Sequence, residues 1–340
     1  MSAFFNQRLR QQQIESRRGF SLLEMVVGIA IVGMLMAILL PAVQRSRGAV
    51  RRAECSARLR EFCLASQNFS TTHGRFPGSY PPKGPEPDFS RLRWSAHLSL
   101  LPYLEQSSVQ NQVDLSDDSL SLRNSPPSSS LNAVSLKTPV TAFLCPADVR
   151  ILGAVSFRIS GGTSPGIHST PGVATPDAAL KGMVSSRGID PRSIVDGLSN
   201  TAFASERLIG SPENPGISDV VLLGFGAFFT ATDAATACRG ASPYSTVDST
   251  SGRSWLPAGY HTTWYNHILT PNSIVRDCVN ASKLTLLGNG AITARSSHTG
   301  GVNVGMCDGA TRFVNQNVSE RVWRAVGTSS GRESVARTDW

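Results

Sequence analysis

The sequence predicts an α+β protein: one long N-terminal helix packed on an antiparallel, β-rich globular domain. Three observations predict it. Residues 22–40 form a run of 19 with a single charge. Beyond Pro41, apolar side chains recur at three- and four-residue steps as far as Phe69. From about residue 71 the chain turns Gly-, Pro- and Ser-rich and carries short β-like runs instead.

Residues 1–19 are polar, Gln- and Arg-rich, and read as a leader. The 22–40 run follows: fourteen Leu, Ile, Val or Met, two Ala, two Gly and Glu24. As a helix it is roughly 28 Å long, close to the hydrocarbon thickness of a bilayer. Its eleven Leu, Ile and Val, at about −0.3 to −0.6 kcal/mol each, outweigh one central charge at about +3 kcal/mol, and Glu24 stands near the end of the run. The segment should insert. A cleaved secretory signal would have a shorter apolar core and small residues at its far end. Here the far end is LLPAVQRSR, which is basic. A plain signal anchor accounts for the run but not for RRGF before it or for Glu24 inside it.

Charge placement agrees with a membrane-proximal segment. The formal net charge is +8, but residues 1–60 hold ten arginines against three glutamates, a balance of +7. The remaining 280 residues are nearly neutral. A globular nucleic-acid binder would carry its positive charge on the folded domain, so nucleic acid is not an expected partner. Arginines beside an apolar run suit anionic headgroups. Arginines lie on both sides (8, 10, 17 and 18 before; 45, 47, 51 and 52 after), which leaves the positive-inside rule ambiguous.

Residues 20–70 read as one helix about 75 Å long, half in lipid and half a spine. On the spine Val50, Ala53, Ala57 and Leu64 lie on one side, with Phe62, Ala65 and Phe69 beside them. Such a stripe must be covered, and the following domain is the expected cover. Arg51, Arg52, Arg58 and Arg60 are expected on the exposed face. HGRFPG, residues 73–78, ends the helix with Gly and Pro.

The globular domain is expected over 71–326, with a frayed polar tail over 327–340. RWSAHLSLLPYLEQ, 91–106, reads as a short amphipathic helix. Residues 116–135, with NSPPSSS, read as a low-complexity surface loop. VVLLGFGAFF, 220–229, and NVGMC, 303–307, read as buried strands. DGLSNT, 196–201, reads as a turn leading into a strand. Asp308-Gly309 is a strong hairpin signal: Asp308 forms the turn, Gly309 takes positive φ, and Val302, Val304 and Met306 share one side.

Chemistry-bearing residues are sparse. No Cys-x-x-Cys pair, phosphate loop or His-Glu-x-x-His motif occurs, and no nucleophile elbow is expected. His298 and Asp308 could be imagined as a catalytic or metal pair, but one His and one Asp complete neither, and zinc wants three or four ligands. Nothing in the spacing of His261 or His267 brings them in. We expect no enzyme activity, no metal site and no cofactor.

RRGF followed by SLLEM resembles the cleavage site of type IV prepilins and type II secretion pseudopilins. The resemblance implies that a prepilin peptidase cuts after Gly19 and methylates the new N-terminus, Phe20. Glu24 is then the fifth mature residue, where the family has its glutamate, and Pro41 the twenty-second, where many pilins have a helix-kinking proline. A lone carboxylate in apolar surroundings is costly unless paired. In a filament the N-terminal amine of a neighbouring subunit supplies the pair, which sets axial register. Downstream, TAFLCPAD, IVDGLSNTAFASERL, YNHILTPNSIVRDC and SSHTGGVNVGMCDGATRFV resemble, in that order, a large bacterial domain family, abundant in planctomycete-like bacteria and of unknown role, that follows prepilin-type N-termini. That family bears a His, nine residues, Asp-Gly signature, here His298, Gly300, Gly301, Asn303, Asp308 and Gly309. Thr299 stands where the family more often has proline.

The resemblance implies a pilin-like fold and a single-pass protein of the bacterial inner membrane, with residues 41–340 outside the cytoplasm. Its implied partners are the peptidase, other pilin-like subunits and the secretion or pilus machine. The alternative is a membrane-anchored extracytoplasmic protein that binds a glycan, surface or secreted cargo and does not polymerise. Calcium, which some pseudopilins hold, could draw on oxygens near Asp308 or Asp196, but no EF-hand-like acidic spacing appears. Six cysteines in an exported chain suggest disulfides. Cys145 with Cys55 on the spine is one guess and Cys238 with Cys278 a second, among fifteen possible pairings.

Overall fold

The computed structural model describes residues 21–79, 94–116, 132–149, 151–165, 182–183, 188–213, 216–224, 228, 230–242, 245–280 and 289–333. Gly19, Phe20 and most of the Ser-rich loop fall outside them. The chain divides into two compact units, Met1–Ala49 and Val50–Trp340.

Helix α1 runs over Leu22–His73 and contains Pro41 without losing its helical assignment. Its start is a capping box: the Glu24 side chain accepts the Ser21 N–H, and the Ser21 hydroxyl accepts the Glu24 N–H, at 3.0 and 3.1 Å. It ends at Gly74, whose φ of +71° only a glycine adopts readily and whose N–H reaches the Ser70 carbonyl. In the first unit all fourteen large apolar side chains from 22 to 40 are exposed.

The second unit covers the spine, though by a face shifted from the expected one. Cys55, Leu59, Phe62, Cys63, Ala65, Ser66 and Ser70 are buried, while Val50, Ala53, Ala57 and Leu64 are exposed. The true seam is 55, 59, 62, 66 and 70. Its two small serines and a disulfide cysteine do not register as apolar, so alanines on the other side gave the stronger signal. Arg51, Arg52 and Arg60 are exposed, and Arg52 lies over the Phe313 ring, 4.4 Å from its centre. Arg58 is no mere solvated charge: it pairs with Glu54 and donates to the Thr141 and Leu144 carbonyls, both at 3.2 Å.

The spine packs against a five-stranded sheet ordered β5-β1-β2-β8-β9, made of β1 Phe157–Ser160, β2 Ala202–Glu206, β5 Trp264–Tyr265, β8 Gly301–Met306 and β9 Thr311–Asn315. Phe62 meets Phe143 and Phe203 and tilts against His97. Gly305, in the middle of β8, sits where a Cβ would come within 2.2 Å of Cys63 Sγ and 3.3 Å of Leu59. That close approach is why the strand carries glycine there. A second sheet, β4-β3-β6-β7, holds β3 Val220–Leu222, β4 Val247–Asp248, β6 Asp277–Asn280 and β7 Asn289–Ala291. Helices α2 Ala96–Leu100, α3 Ser107–Gln110, α4 Ala231–Arg239 and α5 Glu320–Gly327 complete the domain. Helix α4 carries its own capping box, Thr230 with Asp233, and packs Ala234, Ala235 and Cys238 into a satellite core with Val221 and Ile268.

Three expectations need correction. The sheets are mixed, since β1 pairs β5 and β3 pairs β6 in parallel. Segments 161–263 and 223–276 are long enough to supply the crossovers such pairs require. Of the 220–229 run, the described strand is Val220–Leu222, which ends before Gly224 at φ +82°; residues 225–227 and 229 lie outside the described residues. The tail does not fray from Gly327: Gly327, Thr328 and Ser329 are buried. The Asp196 carboxylate accepts the Gly331 and Arg332 N–H groups at 2.8 and 2.7 Å and draws on the Thr328 hydroxyl as well. Polar side chains hid this packing, since it runs through hydrogen bonds rather than apolar contact.

Candidate functional site

The glycine-rich stretch from His298 to Gly309 folds as the last part of a turn, strand β8 and a hairpin. Gly300 takes φ +89° in the turn, and a Cβ on Gly301 would stand 2.0 Å from the Val314 carbonyl oxygen across the sheet. Val302, Val304 and Met306 are fully buried. Asp308 is exposed and accepts the Ala310 N–H at 2.9 Å, while Gly309 takes φ +85°. Asp308 and Gly309 therefore build the β8–β9 hairpin, as the sequence predicts.

His298 and Asp308 are not brought together. They flank a six-residue strand, which holds them roughly 20 Å apart. His298 instead meets Glu206, the last residue of β2, a residue to which sequence reasoning gave no role. His298 Nε2 stands 3.1 Å from Glu206 Oε1, and Asn303 donates its side-chain amide to the same oxygen at 2.9 Å. The Asn303 backbone N–H reaches the second oxygen at 2.8 Å. Two residues of this stretch thus converge on one buried carboxylate, which is compensated by three contacts. On the other side of His298 Nε2 lies Cys145 Sγ, at 3.6 Å. The structure bonds Cys145 to Cys55 of the spine, with Cα atoms 4.8 Å apart, and Cys238 of α4 to Cys278 of β6, at 5.3 Å. Cys63 and Cys307 are buried free thiols, both pushed up by burial.

One residue beyond Glu206 begins a second polar cluster that sequence reasoning also missed. Arg207 and Arg295, both buried, grip opposite oxygens of Asp277 at 2.7 and 2.9 Å. Burial alone would raise the Asp277 carboxyl, but Arg295 and Arg207 together hold it below the usual range. The spare guanidinium N–H groups go to the Leu208, Ser218, Ser273 and Val275 carbonyls. The cluster ties the end of β2 in one sheet to the start of β6 in the other. Its one sequence signal was charge inside otherwise apolar phrases, Glu206-Arg207 and Arg276-Asp277.

His97, His267 and His261 are separate structural groups. His97 bonds the Phe157 carbonyl at 2.8 Å, and burial lowers its pKa to about 4. His267 lies between the Trp323 carbonyl and the Tyr265 hydroxyl at 2.8 and 2.9 Å, and burial lowers it to about 3. His261 sits 3.0 Å from the Thr250 hydroxyl and 3.6 Å from Asp248. Ser164, central in a Gly-x-Ser-x-Gly stretch, is buried, whereas a nucleophile elbow exposes its hydroxyl.

At the other end of the chain, α1 is the described helix long and apolar enough to cross a membrane. Residues 16–40 match the prokaryotic N-terminal methylation motif. Motif, long helix and β-rich domain define the class: a pilin-like protein whose leader is removed by prepilin peptidase. The chain belongs to the family described as "Protein of unknown function (DUF1559)", which matches residues 44–321. No curated protein and no solved structure matches it.

Proposed function

We propose that the protein is a filament subunit. Cut after Gly19 and methylated at Phe20, it is stored in the inner membrane with residues 41–340 in the periplasm. It then assembles through α1 into a type II secretion-type pseudopilus or type IV pilus-like filament. Its work is assembly and display rather than catalysis.

The observation that carries this reading is the exposed apolar surface of residues 22–40 with one carboxylate set into it. Lipid covers such a surface during storage, and neighbouring helices cover it in a filament. Within one chain Glu24 is held by the Ser21 N–H, a neutral partner that leaves its charge uncompensated. The amine of a neighbour's Phe20 would neutralise it, and a mispaired neighbour would not, so the carboxylate selects one axial offset.

Mass spectrometry of the purified chain should find N-methyl-Phe20 as the first residue; a chain that retains residues 1–19 refutes processing. Glu24→Ala and Glu24→Gln separate capping from register. Glutamine keeps the reciprocal capping bond but not the charge. Both variants should insert and be processed, and both should be depleted from filaments. A glutamine variant that assembles like the parent would remove the register argument. A methylated parent chain that never enters a filament would fit the membrane-anchored binding protein instead.

A further inference from the structure

Cys55, Cys145, Glu206 and His298 come from four separate places: the spine helix, the loop after residue 143, the end of β2 and the turn before β8. Their ligating atoms all lie within 4.8 Å of one another, and all four residues are buried. We propose that this cluster has two exclusive states. With the cysteines oxidised it is the Cys55–Cys145 disulfide. With them reduced it is a tetrahedral site for one divalent zinc ion, ligated by the two thiolates, His298 Nε2 and a Glu206 oxygen. The proposal is independent of the filament reading.

Geometry carries it. Zn–S bonds of about 2.3 Å and Zn–N or Zn–O bonds of about 2.0–2.2 Å at tetrahedral angles put sulfur and nitrogen about 3.5 Å apart, and nitrogen and oxygen about 3.4 Å apart. The Cys145 Sγ–His298 Nε2 distance is already 3.6 Å, and His298 Nε2–Glu206 Oε1 is 3.1 Å. The pair that has to change is the two sulfurs, which lose their bond and take up a separation of about 3.8 Å around the ion. Two thiolates, an imidazole and a carboxylate form a donor set that suits zinc better than magnesium or calcium. The outer shell is in place too: both Asn303 donors fix the plane and position of the Glu206 carboxylate, and the Ser296 hydroxyl holds the His298 backbone N–H at 3.1 Å. The same arrangement gives His298 and Asn303 a shared task that a hairpin alone does not require.

Conversion between the states balances with a disulfide oxidant. The two cysteine sulfurs each lose one electron and join. The oxidant's S–S bond takes both electrons and leaves as two thiolates. The zinc ion, deprived of two ligands, departs. A reducing compartment thus favours the metal form, and an oxidising one the crosslink.

The test uses the full chain in detergent, reduced without oxygen by a phosphine, with Co2+ as probe. The reduced parent should bind one Co2+ with tetrahedral ligand-field bands and a thiolate charge-transfer band, and Zn2+ should displace it. A small disulfide oxidant should release the metal as the Cys55–Cys145 bond returns, and the oxidised chain should bind none. His298→Ala, whose disulfide stays intact for a folding check, should weaken Co2+ binding by more than the roughly 10–100-fold that losing an outer partner costs. Cys55→Ser with Cys145→Ser should abolish the charge-transfer band. An octahedral spectrum, a charge-transfer band that survives in that double variant, or unchanged affinity in His298→Ala would overturn the proposal. If reduction alone unfolds the domain, one equivalent of Zn2+ should restore tryptophan fluorescence in the parent and not in His298→Ala; failure to restore it in the parent overturns the proposal equally.

Discussion

Replacing Cys55 and Cys145 together by serine removes a crosslink between residues 90 apart in sequence. In the chain-entropy account, closing a loop of that length lowers the entropy of the unfolded chain by about 15 cal/mol/K, or about 4.6 kcal/mol at 25 °C. The Cys238–Cys278 bond closes a separation of 40, worth about 3.9 kcal/mol on the same account. The two loops do not overlap, so the losses should add when both are removed. For the folded unit of about 290 residues, 4.6 kcal/mol corresponds to a melting shift of about 8 °C. Urea unfolding of the oxidised, metal-free chain measures this, with the buried Trp255, Trp264 and Trp323 as reporters. The serine pair at 55 and 145 should lose between about 2 and 5 kcal/mol, with the m-value raised because the released unfolded chain exposes more surface. A loss below about 1 kcal/mol, or alkylation of both residues in the native oxidised chain, would refute the reasoning.

Asp277→Asn leaves Arg207 and Arg295 buried without their shared counter-charge, and should cost about 3–5 kcal/mol in the same assay. Acid should destabilise the domain. His97, His267 and His261 are held neutral by burial, at about 4, 3 and 4, against about 6.5 unfolded. Their full stability is present above pH 6.5; as pH falls below it only the unfolded chain takes up protons, so stability drops. Asp148, raised to about 6 by burial, works in the opposite sense between about pH 6 and 4. The net is about two protons, or about 2.7 kcal/mol per pH unit in that interval, readable from melting temperatures; a flat profile would show that these rings are solvated. Gly305→Ala forces a methyl group against Cys63 and Leu59 and should cost about 1–3 kcal/mol, with Cys63→Ala restoring part of it.

What could be read in advance was what rests on local pattern. The apolar run, the helix it opens and the stop at Gly74 all follow from side-chain period and from glycine. The hairpin at Asp308-Gly309 follows from turn chemistry. The spine's buried face followed only in part: Phe62, Ala65 and Phe69 pack in the core as expected, but Ser66 and Ser70 reach it by size rather than by hydropathy. Parallel pairing of β1 with β5 depends on a crossover of about a hundred residues, which no local window contains. Glu206 stayed hidden for a related reason. Its partners His298 and Asn303 are more than ninety residues away, and a lone glutamate at a strand end looks like any solvated charge until the strand beside it is known. The pairing of His298 with Asp308 came from proximity in sequence, which an intervening β-strand turns into separation in space.

The crosslink at Cys55 has a mechanical consequence. It lies near the start of the folded unit, ahead of Leu59, Phe62 and the rest of the buried seam. Tension applied from the N-terminal side of α1 therefore meets a covalent branch before it meets any of those contacts. The pull is diverted into the segment around Cys145, and the turns beyond are spared from being peeled off one by one. Arg58, clasping the Thr141 and Leu144 carbonyls one turn further on, braces the same junction. An oxidised chain should thus resist stretching as a block, whereas a reduced one would give way along its helix.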